Sequence, residues 1–171
     1  MTTATTGTSS LWRRFTAAYG WLLQQLIVIT LAILIIPVSL QIFSRYTALI
    51  PSYIWTEEMA RFMFIWTIML GAMLGIREGT HFEVDVWSPN APRLRAAIGL
   101  ISKLAVLIIA LVFVWGGIEF TRFAWRRISE LAELPLWLIH IPWPLAGVTW
   151  IVFLGEQFVD DFRVLTRGEP L

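Results

Sequence analysis

The sequence contains no cysteine and only two histidines, His81 and His140. The absence of cysteine excludes disulfides, thiolate nucleophiles, and zinc or iron–sulfur centres held by cysteine. A haem held by paired histidines would have to use both histidines of the chain, so a membrane enzyme of the haem or quinone type is disfavoured. We therefore expect a protein that is not an enzyme and that carries no cofactor.

Charged residues are also scarce, at 15% of the chain, whereas a soluble domain has about 25%. No long basic run is present and the formal net charge is +1, so the composition gives no sign of a nucleic-acid partner. The chain has instead 57% hydrophobic residues and a mean hydropathy of +0.71. This is enough for several membrane spans of about 20 residues each. The sequence predicts an all-α integral membrane protein in contact with membrane lipids.

Four apolar segments have the length of a transmembrane helix. The predicted spans are about 21–43, 55–78, 96–118 and 136–158. Residues 1–10 are polar and of low complexity, which predicts a disordered tail. Residues 11–171 are expected to form a single four-helix membrane domain.

The segment before the first span has a helical pattern of its own. Its apolar residues recur at helical spacing and predict a short interfacial amphipathic helix; they are Leu11, Phe15, Ala18 and Leu22. The pair Arg13-Arg14 ahead of an apolar run also resembles a signal peptide. However, the uncharged run that follows has 23 residues, more than the ~7–15 of a signal core, so a membrane span is the simpler interpretation.

The second span has charged residues close to its start. Its charge-free part, residues 62–76, has 15 residues and reaches only about 22 Å, too short for a hydrocarbon core of ~30 Å. Beginning the helix at Trp55 gives 22 residues and about 33 Å, which fits. Glu57, Glu58 and Arg61 must then lie in the first two turns, near the headgroup boundary.

Three interpretations of this charged cluster are open. In the first, Thr56 caps the first turn and Arg61 neutralises Glu57 or Glu58 within the helix, because it follows them by four and three residues. In the second, the cluster contacts a partner helix in the membrane, where ionisable side chains face protein or water. A proton-relay or substrate role is the third, and the shallow position of the cluster disfavours it.

Gly71 and Gly75 lie four residues apart in the same span. This spacing of small residues allows another helix to approach closely. The pattern is frequent by chance in apolar helices, so on its own it is a weak indication of helix contact. Gly116-Gly117 in the third span is weaker still.

The segment after the second span contains His81, Glu83 and Asp85. On a helix, His81 and Asp85 are four residues apart and could share a metal ion. The alternation of apolar residues between them favours an extended segment instead. No second group of ligands completes a metal site, so none is predicted here.

Residues 119–134, between the third and fourth spans, are predicted to form an amphipathic helix. Charged residues recur there at intervals of three and four, apolar residues occupy the other face, and Pro135 stops the pattern. Arg126 and Glu130 are placed as a pair one helical turn apart. The helix either prolongs the third span or lies along the membrane surface.

The distribution of basic residues predicts the orientation. With the N-terminus inside, the inner segments hold eight basic residues and the outer segments hold five. An excess of Lys and Arg marks the cytoplasmic side. Both termini are therefore expected in the cytoplasm.

The region from Arg45 to Trp87 contains several polar residues at spaced positions over about 40 residues. Its elements, in order, are Arg45-Tyr46, a short segment with proline, Trp55-Thr56-Glu57-Glu58, Arg61, Phe64, Trp66, Gly71, Arg77-Glu78-Gly79, His81 and Asp85. This combination resembles the small membrane subunit of tripartite ATP-independent periplasmic (TRAP) transporters. The four spans and the chain length match the family as a pattern.

The resemblance implies a role in the bacterial inner membrane. In this family, a periplasmic binding protein delivers a solute, often an organic acid, to a large multi-span permease that moves like an elevator and uses a sodium gradient. The small subunit is a scaffold for the large one. The residues agree, because none of the spans supplies convergent polar groups near the bilayer centre. The alternative is an autonomous four-helix transporter or channel, and the absence of a glutamate from the first span weakens it.

Overall fold

Four long helices and one short helix make up most of the chain that the computed structural model describes, residues 11–47, 50–78 and 92–167. The helices are α1 (Leu11–Tyr46), α2 (Trp55–Glu78), α3 (Pro92–Ala124), α4 (Trp137–His140) and α5 (Pro142–Arg167). Four segments are long and apolar enough to cross a membrane, which confirms the predicted class. The predicted tail, residues 1–10, and the segment with His81 and Asp85 lie outside the described residues.

The first helix is longer than the sequence pattern predicted. α1 begins at Leu11, and the expected interfacial helix is its first turns. No proline separates the two segments, and the hydroxyl of Thr16 donates to the Arg13 carbonyl 3.1 Å away, within the helix. The backbone hydrogen bonds therefore continue without interruption into the span.

The long helices pack as an open row in the order α1–α2–α5–α3. α2 and α5 run in the same direction, because successive residues of α2 meet successive residues of the α4–α5 segment. The hydrogen-bonded pairs are Trp66 with Leu138, Ala72 with Trp150, and Ile76 with Gln157. Within the described chain, no extended contact joins α1 to α3.

The two inner helices form most of the core. In the most apolar part of α1 only 6% of residues are buried and in α3 11%, against 28% in α2 and 39% in the fourth span. The core combines α2 and α5 with single rows of side chains from the outer helices. Its fully buried members include Leu23, Leu70, Met73, Ala110, Phe153 and Leu154. The outer helices thus have broad surfaces free for lipid or for another protein.

Two glycines allow α3 and α5 to approach closely. A Cβ atom on Gly147 would lie 2.6 Å from the carbonyl oxygen of Ala110, and one on Gly117 would meet Pro144. Such small residues let backbones pack tightly where lipid provides no hydrophobic driving force. Gly117 was rated a weak candidate from the sequence, and it is one of the two glycines that form this contact.

Candidate functional site

The charged cluster lies in the first two turns of α2, as the length of the span required. The helix begins at Trp55. Thr56 does not cap it in the predicted way, because its hydroxyl donates to the carbonyl of Tyr53 at 2.6 Å instead of accepting from the first turn. Thr56 is buried, so this backward hydrogen bond satisfies its hydroxyl and ties the preceding turn to the helix.

Glu57 and Arg61 form an exposed ion pair. Nη2 of Arg61 lies 3.3 Å from Oε1 of Glu57, and the two side chains are 61% and 69% exposed. This is the local i,i+4 pairing that the sequence predicted. An ion pair in this position adds little to the stability of the monomer.

Glu58 follows Glu57 directly in the sequence but makes different contacts, with a distant segment of the chain. Its Oε2 accepts hydrogen bonds from the backbone N–H groups of Leu131, at 2.9 Å, and Ala132, at 2.6 Å. These residues are more than 70 positions away in the chain. A carboxylate that accepts two backbone N–H groups makes strong, charge-assisted hydrogen bonds. Glu58 therefore fastens the start of α2 to the segment between α3 and α4.

That segment, residues 125–136, is here named the connector. The prediction of a helix over 119–134 is correct only as far as Ala124, where α3 ends. Beyond it the chain folds back in an antiparallel turn, with hydrogen bonds between Arg127 and Leu136 and between Ser129 and Leu134. Pro135 has no backbone N–H and cannot continue a helical hydrogen-bond pattern. The backbone N–H groups of Leu131 and Ala132, which a helix would use internally, donate to Glu58 instead.

Arg126 and Glu130 do not form the predicted pair on a helix. Both lie in non-helical parts of the connector. Arg126 makes no ion pair with any described residue, and it lines a groove beside α3. The pairing in this region is between Glu119 and Arg122, whose side chains lie 3.4 Å apart. The prediction failed because the helix ends before the pair begins.

A continuous row of exposed side chains runs along one face of α2. Its members follow one another at intervals of four and three residues, and we call them the outer stripe; they are Glu57, Arg61, Phe64, Ile68 and Gly71. Apart from its chain neighbours and the nearby backbone of its own helix, no described atom lies within 4 Å of a Cβ added at Gly71, so the backbone is accessible there. Gly75 is buried, so the predicted pair of glycines does not act as one unit.

Several other polar side chains in the spans join helices of this chain to one another. The indole N–H groups of Trp66 and Trp150 donate to carbonyls of α4 and α2, and Gln157 donates to Ile76. Tyr19 and Thr149 share a hydrogen bond of 2.7 Å between α1 and α5. In the residues that the structure describes, no three His, Asp or Glu side chains come close enough to hold a metal ion.

Residues 34–164 match the family model of the tripartite ATP-independent periplasmic transporters, DctQ component. The chain belongs to this family. Its members are transporter subunits and not enzymes, so the chain is a TRAP transporter small permease subunit and a multi-pass protein of the inner membrane. The resemblance that Trp55–Arg61 and the following residues indicated is thereby confirmed.

Curated relatives give the same assignment. A putative TRAP transporter small permease protein of Haemophilus influenzae is 26% identical over 115 residues, 67% of this chain and 71% of the relative. The sialic acid TRAP transporter small permease protein SiaQ of Vibrio cholerae is 27% identical over 137 residues, 79% and 78% of the two chains. The isethionate TRAP transporter permease protein DctMQ of Oleidesulfovibrio alaskensis is 24% identical, and the match covers 69% of this chain but 19% of that relative.

Proposed function

We propose that this small permease subunit is a scaffold for the large, multi-span TRAP permease in sodium-coupled uptake of an organic acid. In this proposal the outer stripe of α2 is the surface that meets the large subunit. A periplasmic substrate-binding protein is the transient third partner, and the solute and the sodium ions bind outside this chain.

The observation that carries the proposal is the outer stripe itself. α2 is an inner helix of the row and packs against α1 and α5. Its outer stripe, from Glu57 to Gly71, is nevertheless exposed. An open glycine at one end allows close backbone contact, and an ion pair at the other can exchange partners across an interface. A helix of a partner seated there would shield the ion pair from lipid.

The names of the relatives support the finer parts of the proposal. The relative named DctMQ extends far beyond the segment matched here, which fits a small subunit that works in a fixed complex with a larger permease. Isethionate and sialic acid, named for two relatives, are both organic acids. The sodium coupling rests on the family resemblance, and the excess of basic residues in the inner segments supports cytoplasmic termini.

The absence of cysteine allows a direct test of the docking surface. Ile68→Cys places a single thiol on the outer stripe, and Ile109→Cys places one on α3; both native side chains are 47% exposed. Each variant would be labelled with a photoactivatable maleimide in membranes that contain the large permease and then irradiated. We expect a cross-linked product with the large permease from position 68 and none from position 109.

The scaffold role has its own test. Uptake of the solute should require both subunits, and this chain reconstituted alone in liposomes should transport nothing. Transport by the isolated chain would contradict the proposal in favour of an autonomous transporter. Cross-linking from position 109 but not from position 68 would keep the scaffold and reject the docking surface.

A further inference from the structure

A groove lies at the end of the row where α3 finishes and α5 begins. Its volume is about 590 Å³, in the range of ~300–1,000 Å³ typical of ligand pockets. Part of the lining is apolar, and we call this part the floor: Ile118 of α3, Ile141 between α4 and α5, and Pro144 in the first turn of α5. The close packing of Gly117 on Pro144 holds these two helices together beside it.

Two arginines line the same groove. Arg126 lines the groove and has no ion-pair partner among the described residues. Arg122 lines it as well and contacts Glu119 at 3.4 Å, with 74% of its side chain exposed. A site with an apolar floor and positive charge at one edge is complementary to an amphiphile with an anionic head.

The position of the groove in the membrane fits the same ligand. The third span ends at Ala124 and the fourth begins at Trp137, so the arginines lie at the level where the spans leave the hydrocarbon. Trp125 and Trp137 contact each other there, with ring centroids 5.5 Å apart. Tryptophan is enriched at the headgroup level of membranes. Ile118 lies nearly two helical turns before the end of α3 at Ala124, deeper in the span than Arg126.

We propose that this groove binds one phospholipid with a net negative headgroup. Arg126 binds the phosphate, with Arg122 as a second donor, and an acyl chain lies along Ile118, Ile141 and Pro144. A planar guanidinium can make two parallel hydrogen bonds to a phosphate, which favours arginine at such a site. This proposal is independent of the scaffold role.

The test is a lipid titration of the full chain, delipidated in detergent and followed by native mass spectrometry. Phosphatidylglycerol is the probe, and diacylglycerol with the same acyl chains lacks only the charged head. We expect Arg126→Gln to weaken binding of phosphatidylglycerol about tenfold, the loss expected for one charge-assisted contact. Ile118→Trp, which fills the floor, should weaken it by a similar factor without changing the charge.

Arg45→Gln is the matched control. Arg45 is an exposed arginine in the last turn of α1, at the same end of the row and outside the groove. Its replacement should leave the affinity unchanged, and Arg126→Lys should retain more affinity than Arg126→Gln. Far-UV circular dichroism confirms that each variant is folded, and Ile118→Trp still tests the floor if Arg126→Gln does not fold.

Several outcomes would overturn the proposal. Equal affinity of wild type and Arg126→Gln would show that the guanidinium does not bind the lipid. An equal loss in Arg45→Gln would show that only the general surface charge matters. Displacement of the lipid by inorganic phosphate at the same concentration, together with normal binding to Ile118→Trp, would indicate a phosphate site without a lipid groove.

Discussion

Beyond its first two turns, α2 has two apolar faces with opposite surroundings. Phe62 is 2% exposed and packs inside the row, whereas Phe64, two residues later, is 55% exposed on the outer stripe. Met73 is fully buried, and Gly71 has open space around it. In a soluble helix such faces would differ in polarity. In a membrane both can be apolar, because lipid tails are as apolar as leucine; beyond the Glu57–Arg61 pair, only packing distinguishes the two faces.

The difference distinguishes the packed face from the surface that we propose for docking. Side chains on the packed face are satisfied within this chain, by van der Waals contact or by hydrogen bonds such as that of Trp66. Among the described residues, the outer stripe makes no side-chain hydrogen bond or ion pair except the Glu57–Arg61 pair. A matched pair of substitutions, one on each kind of surface, should therefore separate the stability of the subunit from its association with the large permease.

The largest effect is expected from a pair of glycines. Gly147→Leu inserts a side chain 2.6 Å from the backbone of α3, which cannot move aside as a flexible side chain can. We expect a loss of at least about 3 kcal/mol, at the upper end of overpacking effects. Gly71→Leu should leave the stability unchanged, because its surroundings are open. Unfolding by SDS in mixed micelles, followed by circular dichroism, measures both.

Gly71→Leu should nevertheless reduce copurification of the large permease, because the added side chain would hold a partner helix away from α2. The comparison between the two faces would fail if Gly71→Leu destabilised the isolated chain as much as Gly147→Leu does.

An intermediate effect is expected from two phenylalanines of α2. Phe62→Ala removes buried packing contacts, and in lipid most of the transfer term is absent, so the cost should be about 2 kcal/mol, below the ~3–5 kcal/mol of soluble cores. Phe64→Ala should cost little in the isolated chain and should weaken the complex with the large permease. Unfolding in mixed micelles and copurification yield are the two measurements. Equal destabilisation by both variants would show that the outer stripe is packed in this chain.

The smallest effect is expected from the two neighbouring glutamates. Glu58→Gln weakens the charge-assisted hydrogen bonds to the connector, and we expect a loss of about 1 kcal/mol, since water can partly replace the carboxylate. Glu57→Gln removes only an exposed ion pair, which contributes less than about 0.5 kcal/mol. Hydrogen exchange of the Leu131 and Ala132 amides should accelerate in Glu58→Gln and stay unchanged in Glu57→Gln. The reverse result would mean that Glu58 does not hold the connector.

Much of the fold follows from the sequence. The length of the apolar segments and the thickness of a bilayer require four spans, and the same reasoning placed the start of α2 at Trp55, as observed. The family could also be recognised from the sequence, because the spacing of the polar residues from Arg45 to Asp85 resembles the motif of that family. The sequence did not predict that α1 is one continuous helix or that α3 ends at Ala124. The spacing of apolar residues predicts helix boundaries poorly.

The sequence by itself determined that this chain is a membrane protein, how many times it can cross the bilayer, and which transporter family it resembles. Those properties depend on hydrophobicity and on short-range spacing, which are present in every segment taken alone. Only the tertiary structure decided that Glu58 binds the connector while Glu57 stays exposed, and which face of α2 is bare. These outcomes depend on hydrogen bonds and packing between residues far apart in the chain. In a lipid bilayer, packed and lipid-facing surfaces can both be apolar, so the pattern of polar and apolar residues does not predict them.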